Sequence, residues 1–106
     1  MSTPLPLDGV RIIDFTQVMM GPVATQMLAD YGADVIKIER PAGDLSRTAF
    51  PNDPAGLLGP VFCSLNRNKR SVVLDLRQPE ERQVVLDLVR QVAAHQVQQL
   101  AATDVA

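Results

Sequence analysis

Apolar and polar positions along this chain change their period several times, and each change marks a structural element. Val10 to Phe15 is apolar except for Arg11 and Asp14, the pattern of a short strand covered on both faces. Gly21-Pro22 predicts a helix start, because a proline at the first helical position lacks only an N–H that would have had no partner there. Val23, Met27, Leu28 and Tyr31 fall on one face of that helix, and Gly32 supplies the left-handed residue that ends it. From Asp34 to Arg40, Val35, Ile36 and Ile38 alternate with Lys37 and Glu39, which predicts a second strand with one face less buried, stopped by Pro41.

From Pro41 to Pro60 the chain is rich in Pro, Gly, Asp and Asn, and reads as a long loop of functional or mobile character, a cofactor lid being one such use. Val61 to Leu65 reads as a short apolar turn. The polar run Asn66 to Arg70, NRNKR, then leads into a β-branched strand from Ser71 to Leu76. Pro79 opens a long helix in which Val85, Leu88, Val89 and Val92 keep the apolar spacing, while Glu80, Glu81 and Asp87 place acid toward its N-terminal half. Strands alternating with helices imply parallel pairing with right-handed crossovers, hence a three-layer, Rossmann-like α/β sheet. Ligands of such sheets bind beyond the carboxyl ends of the strands, here Thr16 to Gly21, Glu39 to Asp44, and Asp75 to Gln78.

The chain's 106 residues suit one domain, 1–106, that buries about two thirds of its unfolded surface. Ten basic and twelve acidic residues leave a net charge of −2, so no overall field favours nucleic acid, and any anion site must be local. Cys63 is the sole cysteine, which excludes an internal disulfide and a zinc cluster and fits a reducing compartment. No basic-then-apolar leader and no run of eighteen apolar residues is present, so the expectation is a cytoplasmic chain that neither spans nor binds a membrane. Cys63 has no neighbouring base and reads as a small buried side chain; His95, among alanines and glutamines, lies far in sequence from every strand end. For NRNKR the residues alone allow a solvated turn, pairing with acidic groups of a partner subunit, or added positive potential beside bound phosphates.

Four segments, LDGVRIIDFT, the MGP turn, QMLADYGADVIKIERPAGD and NRNKRSVVLDLRQPE, occur in an order and spacing that resembles the N-terminal part of the class III coenzyme A transferases. That family includes formyl-CoA, carnitine-CoA and bile-acid-CoA transferases and the α-methylacyl-CoA racemases, and the resemblance covers roughly residues 5 to 90. It implies a sheet incomplete relative to the family, with a divergent helical tail from about residue 92. It also implies that coenzyme A meets Gln17, Met19 and Met20 after the first strand, Arg40 after the second, and Leu74, Asp75, Leu76 and Arg77 after the third. A guanidinium is always charged and can hold a phosphate with two parallel hydrogen bonds, which suits Arg40 and Arg77 to the phosphates of the cofactor. Without the resemblance, Arg40 reads as a solvated strand-end charge paired with Glu39 or Asp44, and Met19 and Met20 read as gap-filling core.

The implied reaction moves coenzyme A from an acyl-CoA donor to a carboxylic acid acceptor, without a metal, in a full-length enzyme that is a homodimer. Such enzymes resemble one another in depending on an aspartate that becomes a mixed anhydride and then a thioester, and no residue here matches it. No catalytic residue is therefore assigned, and the isolated chain is expected to be inactive. The readings left open are an α-methylacyl-CoA racemase-like fragment and a non-catalytic binding or assembly module.

Overall fold

Three apolar stretches pair side by side into one parallel sheet in the order β1 (Arg11–Asp14), β2 (Asp34–Glu39), β3 (Lys69–Val73). The computed structural model describes residues 3–49 and 59–102, with side chains up to 98. Register sets Ile12 opposite Val35 and Ile13 opposite Ile36, then Ile38 opposite Val72, so aliphatic residues meet across both pairings. This order is one half of a doubly wound sheet, with β2 as the inner strand.

Side chains alternate along β2, and the two faces receive different helices. On one face α1 (Met20–Asp30) packs Ala29 over Val35 and Ala33, with Leu7, Val10 and Ile12 around them. On the other, α3 (Pro79–Ala102) packs Val85 against Ile38 and Leu74, flanked by Ile13, Ile36, Val72 and Leu88. The result is the expected α/β architecture in three layers.

Several local expectations are corrected. The face of α1 that meets the sheet carries Pro22, Gln26 and Ala29, whereas Val23, Met27, Leu28 and Tyr31 are all exposed. Small side chains let the helix sit close over the strands, and Gln26 accepts the Arg67 N–H at 3.0 Å, so the larger apolar face turns outward. The helix begins at Met20, which makes Pro22 its third residue; its missing N–H is still harmless, because the first four have no intrahelical acceptor. Gly32 has φ +106 as the turn requires, and a Cβ there would lie 2.7 Å from Leu5 Cβ.

The Val61 to Leu65 turn is a short helix, α2 (Pro60–Leu65), with proline at its start. Within the long loop, Leu45–Arg47 forms a single 3-10 turn whose Ser46 N–H is capped by Asp44. The segment 50–58, on which a lid would depend, lies outside the described residues. The third strand starts two residues earlier than expected and stops at Val73, although the Leu74 N–H still reaches the Glu39 carbonyl at 2.9 Å. In α3, Val85 is buried and Leu88 and Val92 are half-buried, while Val89 is exposed. That helix runs without a break past residue 92 to Ala102, and His95 Nε2 lies 2.9 Å from the Gly9 carbonyl oxygen, well away from the strand carboxyl ends.

Candidate functional site

Because all three strands run parallel, their carboxyl ends open on the same edge, and a cleft of about 440 Å³ lies there. Phe15 and Gln17 form one wall, Arg40, Pro41 and Ala42 a second, and Leu76 and Arg77 a third, over a floor of Ile38, Leu74 and Asp75. The structure therefore brings Gln17, Arg40, Leu74, Asp75, Leu76 and Arg77 to one cavity. Met19 instead lines an apolar groove with Val23, Pro60, Val61, Ser64 and Leu65, between α1 and α2, and Met20 projects into solvent at 86% exposure. Pro41 and Ala42 fall within the expected strand end Glu39 to Asp44, whereas Phe15 and Ile38 lie outside every expected range. A large aromatic closing a strand was the one signal that could have marked Phe15.

The two arginines present their charge differently. Arg40 Nε donates to the Gly43 carbonyl at 3.1 Å, within a turn closed by Gly43 N–H to the Arg40 carbonyl at 2.8 Å, and Gly43 has φ +80. Its Nη groups make no hydrogen bond among the described residues, so the guanidinium keeps free donors toward the cleft. The alternative pairing of Arg40 with Glu39 or Asp44 does not form; both carboxylates are buried and taken by other donors. Arg77 binds Asp75 through Nε at 3.0 Å and Nη2 at 3.2 Å, and hydrogen bonds from Arg77 hold the Asp75 carboxyl below its usual range. Leu74 belongs to the core as well as to the cleft floor.

On the face of β2 opposite Ile38 lies a layer of charge that sequence alternation did not reveal. Lys37 and Glu39, expected on the less buried face of β2, are 1% and 3% exposed. Lys37 Nζ meets Asp44 at 2.8 Å and the Thr16 carbonyl at 2.8 Å. Glu39 accepts Arg47 Nε and Nη2 at 2.7 Å each, the Asp44 N–H at 3.0 Å, and the Ser71 hydroxyl, while the Arg47 guanidinium stacks 3.8 Å from the Phe62 ring centre. Asp14 accepts from the Thr16 N–H and hydroxyl, the Thr25 hydroxyl and Lys69 Nζ. Among the described residues no buried polar side-chain atom lacks a partner, which is what makes this burial tolerable.

Protonation follows these contacts. The Arg47 hydrogen bonds, ahead of burial, bring Glu39 down to about 2. For Asp44, burial opposes ionisation, yet Lys37, Ser46 and the Val18 N–H outweigh it and bring the carboxyl to about 2. Both are anions at any neutral pH.

The NRNKR run resolves into internal ties. Arg67 meets Asp30 at 2.8 Å, Arg70 meets Asp34 at 2.7 Å, and Lys69 meets Asp14 at 3.1 Å. Its side chains thus dock β3 onto α1, β1 and β2, and Lys69 and Arg70 are themselves the first two residues of β3, at the end of the strand opposite the cleft. Cys63 is exposed, contrary to expectation, because α2 turns it away from the sheet. Among the described residues no group of His, Cys, Asp and Glu is arranged to hold a metal, and no helix is long and apolar enough to cross a membrane.

Comparison with known proteins supplies the remaining context. Residues 7–95 match the sequence model of CoA-transferase family III. A formyl-CoA:oxalate CoA-transferase of Rhodopseudomonas palustris (strain BisA53) is 48% identical over 85 residues, covering 79% of this chain and 20% of that protein. A succinyl-CoA:mesaconate CoA-transferase of Haloarcula hispanica is 50% identical over 86 residues, covering 78% of this chain and 22% of that protein. Among solved structures, a CAIB/BAIF family protein from Brucella suis superposes with a TM-score of 0.71 at 41% identity, over 78% of this chain and 23% of that one. A hypothetical protein from Mycobacterium tuberculosis gives a TM-score of 0.69 at 44% identity, over 79% and 22% respectively. This chain spans about a fifth of the length of the curated relatives it matches.

Proposed function

Since this chain belongs to CoA-transferase family III, we propose that its strand-end cleft is the part of a CoA transferase that grips coenzyme A, in a reaction carrying CoA from an acyl-CoA to a carboxylic acid. The observation that carries this reading is the convergence of Arg40 and Arg77, from two different strands, on one cavity floored by Ile38 and Leu74. Guanidinium groups at the rim suit the phosphates, and the aliphatic floor with Phe15 suits the flat faces of a nucleotide base. Gln17, on the wall formed by the loop after β1, lies toward the thioester end of the ligand. The curated relatives named above both move CoA between acids, which favours transfer over racemisation.

No carboxylate at the cleft is placed as a nucleophile: Asp75 is held by Arg77, and Asp14, Glu39 and Asp44 are buried in ion pairs. In this reading the chain binds and orients the cofactor, while the covalent step belongs to a carboxylate outside it. The exposed apolar side chains of α1 support a dimeric working form, and the lone cysteine supports a reducing, cytoplasmic setting.

Calorimetric titration of coenzyme A and of its 3′-dephospho form tests the reading directly. Loss of a charge-assisted fork costs about 1.5 to 3 kcal/mol, so Arg40→Ala should weaken coenzyme A roughly 10- to 100-fold. An unchanged affinity in that variant, or no binding of either ligand by the parent chain, overturns it.

A further inference from the structure

Val18 is a β-branched residue with φ +71, a conformation such side chains rarely adopt, and it directly follows Gln17 on the cleft wall. Its backbone N–H donates to both carboxylate oxygens of Asp44, at 3.1 and 3.3 Å. Asp44 is 1% exposed and also takes Lys37 Nζ at 2.8 Å, the Ser46 N–H at 2.9 Å and the Ser46 hydroxyl at 2.8 Å. Capping of the Leu45–Arg47 turn explains the Ser46 bonds. It explains neither Val18 nor Lys37.

Asp44 stands immediately after the Arg40 to Gly43 turn, and its own N–H is fixed to Glu39 at 3.0 Å. One buried carboxylate therefore joins the loop that carries Phe15 and Gln17 to the loop that carries Arg40, and Lys37 adds a second tie through the Thr16 carbonyl. We infer that Asp44 is a positioning residue of the cleft, holding Val18 in its left-handed conformation and so setting the separation between Gln17 and Arg40. The consequence for ligand affinity rests on the coenzyme A reading above; the clamp itself rests on geometry alone.

Two measurements separate these. Amide hydrogen exchange reads the clamp without ligand: in Asp44→Asn, which presents an NH2 to Lys37 and only one neutral acceptor oxygen, the Val18 amide should exchange at least about tenfold faster while the Val35 and Ile38 amides of β2 hold their rates. Coenzyme A titration reads its use: Asp44→Asn should weaken binding about tenfold, and adding Val18→Gly should restore most of that affinity, because glycine takes φ near +71 without help. A role in general stability predicts the reverse, since a flexible glycine would weaken binding further. Should the unpaired Lys37 unfold the single variant, the same comparisons are made in a Lys37→Met background. Unaltered Val18 exchange, or failure of the glycine to restore affinity in a chain that binds coenzyme A, overturns the inference. If the parent chain binds no coenzyme A, the functional proposal falls and Val18 exchange alone decides the clamp.

Discussion

Replacing Lys69 with methionine isolates the buried charge layer, because the new side chain fills comparable volume and opens no cavity. The Lys69 side chain is 2% exposed and that of Asp14 is 0% exposed, with Nζ 3.1 Å from Oδ2. Nζ also donates to Asn66 Oδ1 at 2.8 Å and to the Pro22 carbonyl at 3.1 Å. Removing one member of a buried pair costs about 3 to 5 kcal/mol. Asp14 keeps the Thr16 and Thr25 donors, so the lower end of that range, about 3 kcal/mol, is expected here. This is a large share of the ~5 to 15 kcal/mol that holds an ordinary domain together.

Urea unfolding followed by circular dichroism at neutral pH reads the loss, and a cycle with Asp14→Asn assigns it. With the carboxylate gone, losing the lysine strands no charge, so the double variant should be about 2 kcal/mol more stable than the sum of the two single changes implies. The pH dependence carries a definite sign. In the parent chain burial of Asp14 is outweighed by its hydroxyl, N–H and ammonium donors, so its carboxyl titrates below the usual 3.8. Without Lys69 that carboxyl loses one of its donors and titrates less far below its usual value; the folded variant then takes up the proton before the parent does, and its stability deficit shrinks as pH falls through the range below 3.8. A loss below about 1 kcal/mol, or strict additivity with Asp14→Asn, would refute the view that this pair is an integral part of the interior.

Further outcomes follow from the same contacts. Glu39 and Asp44 are both lowered to about 2, from 4.5 and 3.8, so their stabilisation is complete above the unfolded values and is lost as pH falls through the window between about 4.5 and 2. Thermal melts should therefore collapse within that window, and a melting temperature that is flat across it would contradict the ion-pair geometry. Gly21→Ala would put a Cβ 2.5 Å from Thr16 Cβ, and Thr16 is itself fixed to Asp14 through its N–H and hydroxyl, so the turn cannot yield cheaply. A loss of about 1 to 3 kcal/mol is expected, seen as a fall of several degrees in melting temperature; a shift within about one degree would show that the turn relaxes.

Sequence patterning alone determined the parallel three-layer plan, since strand-length apolar runs alternating with helices of 3.6 period leave few other topologies. It also marked the strand ends Thr16 to Gly21, Glu39 to Asp44 and Asp75 to Gln78 as one ligand edge, because topology places the residues after parallel strands together; singling out Arg40 and Arg77 within them took the family resemblance. Tertiary structure decided what each charge does. Lys37 and Glu39 alternate with aliphatic residues as solvent-facing side chains would, yet Asp44 and Arg47, seven and eight residues onward, fold back to neutralise them inside. In NRNKR, likewise, the acceptors Asp30, Asp34 and Asp14 lie more than thirty residues away along the chain, at separations such as 37 for Arg67 to Asp30 and 36 for Arg70 to Asp34. Burial of a charge depends on a counter-charge brought by the fold from elsewhere in the chain, and no local period of polar and apolar residues encodes that meeting.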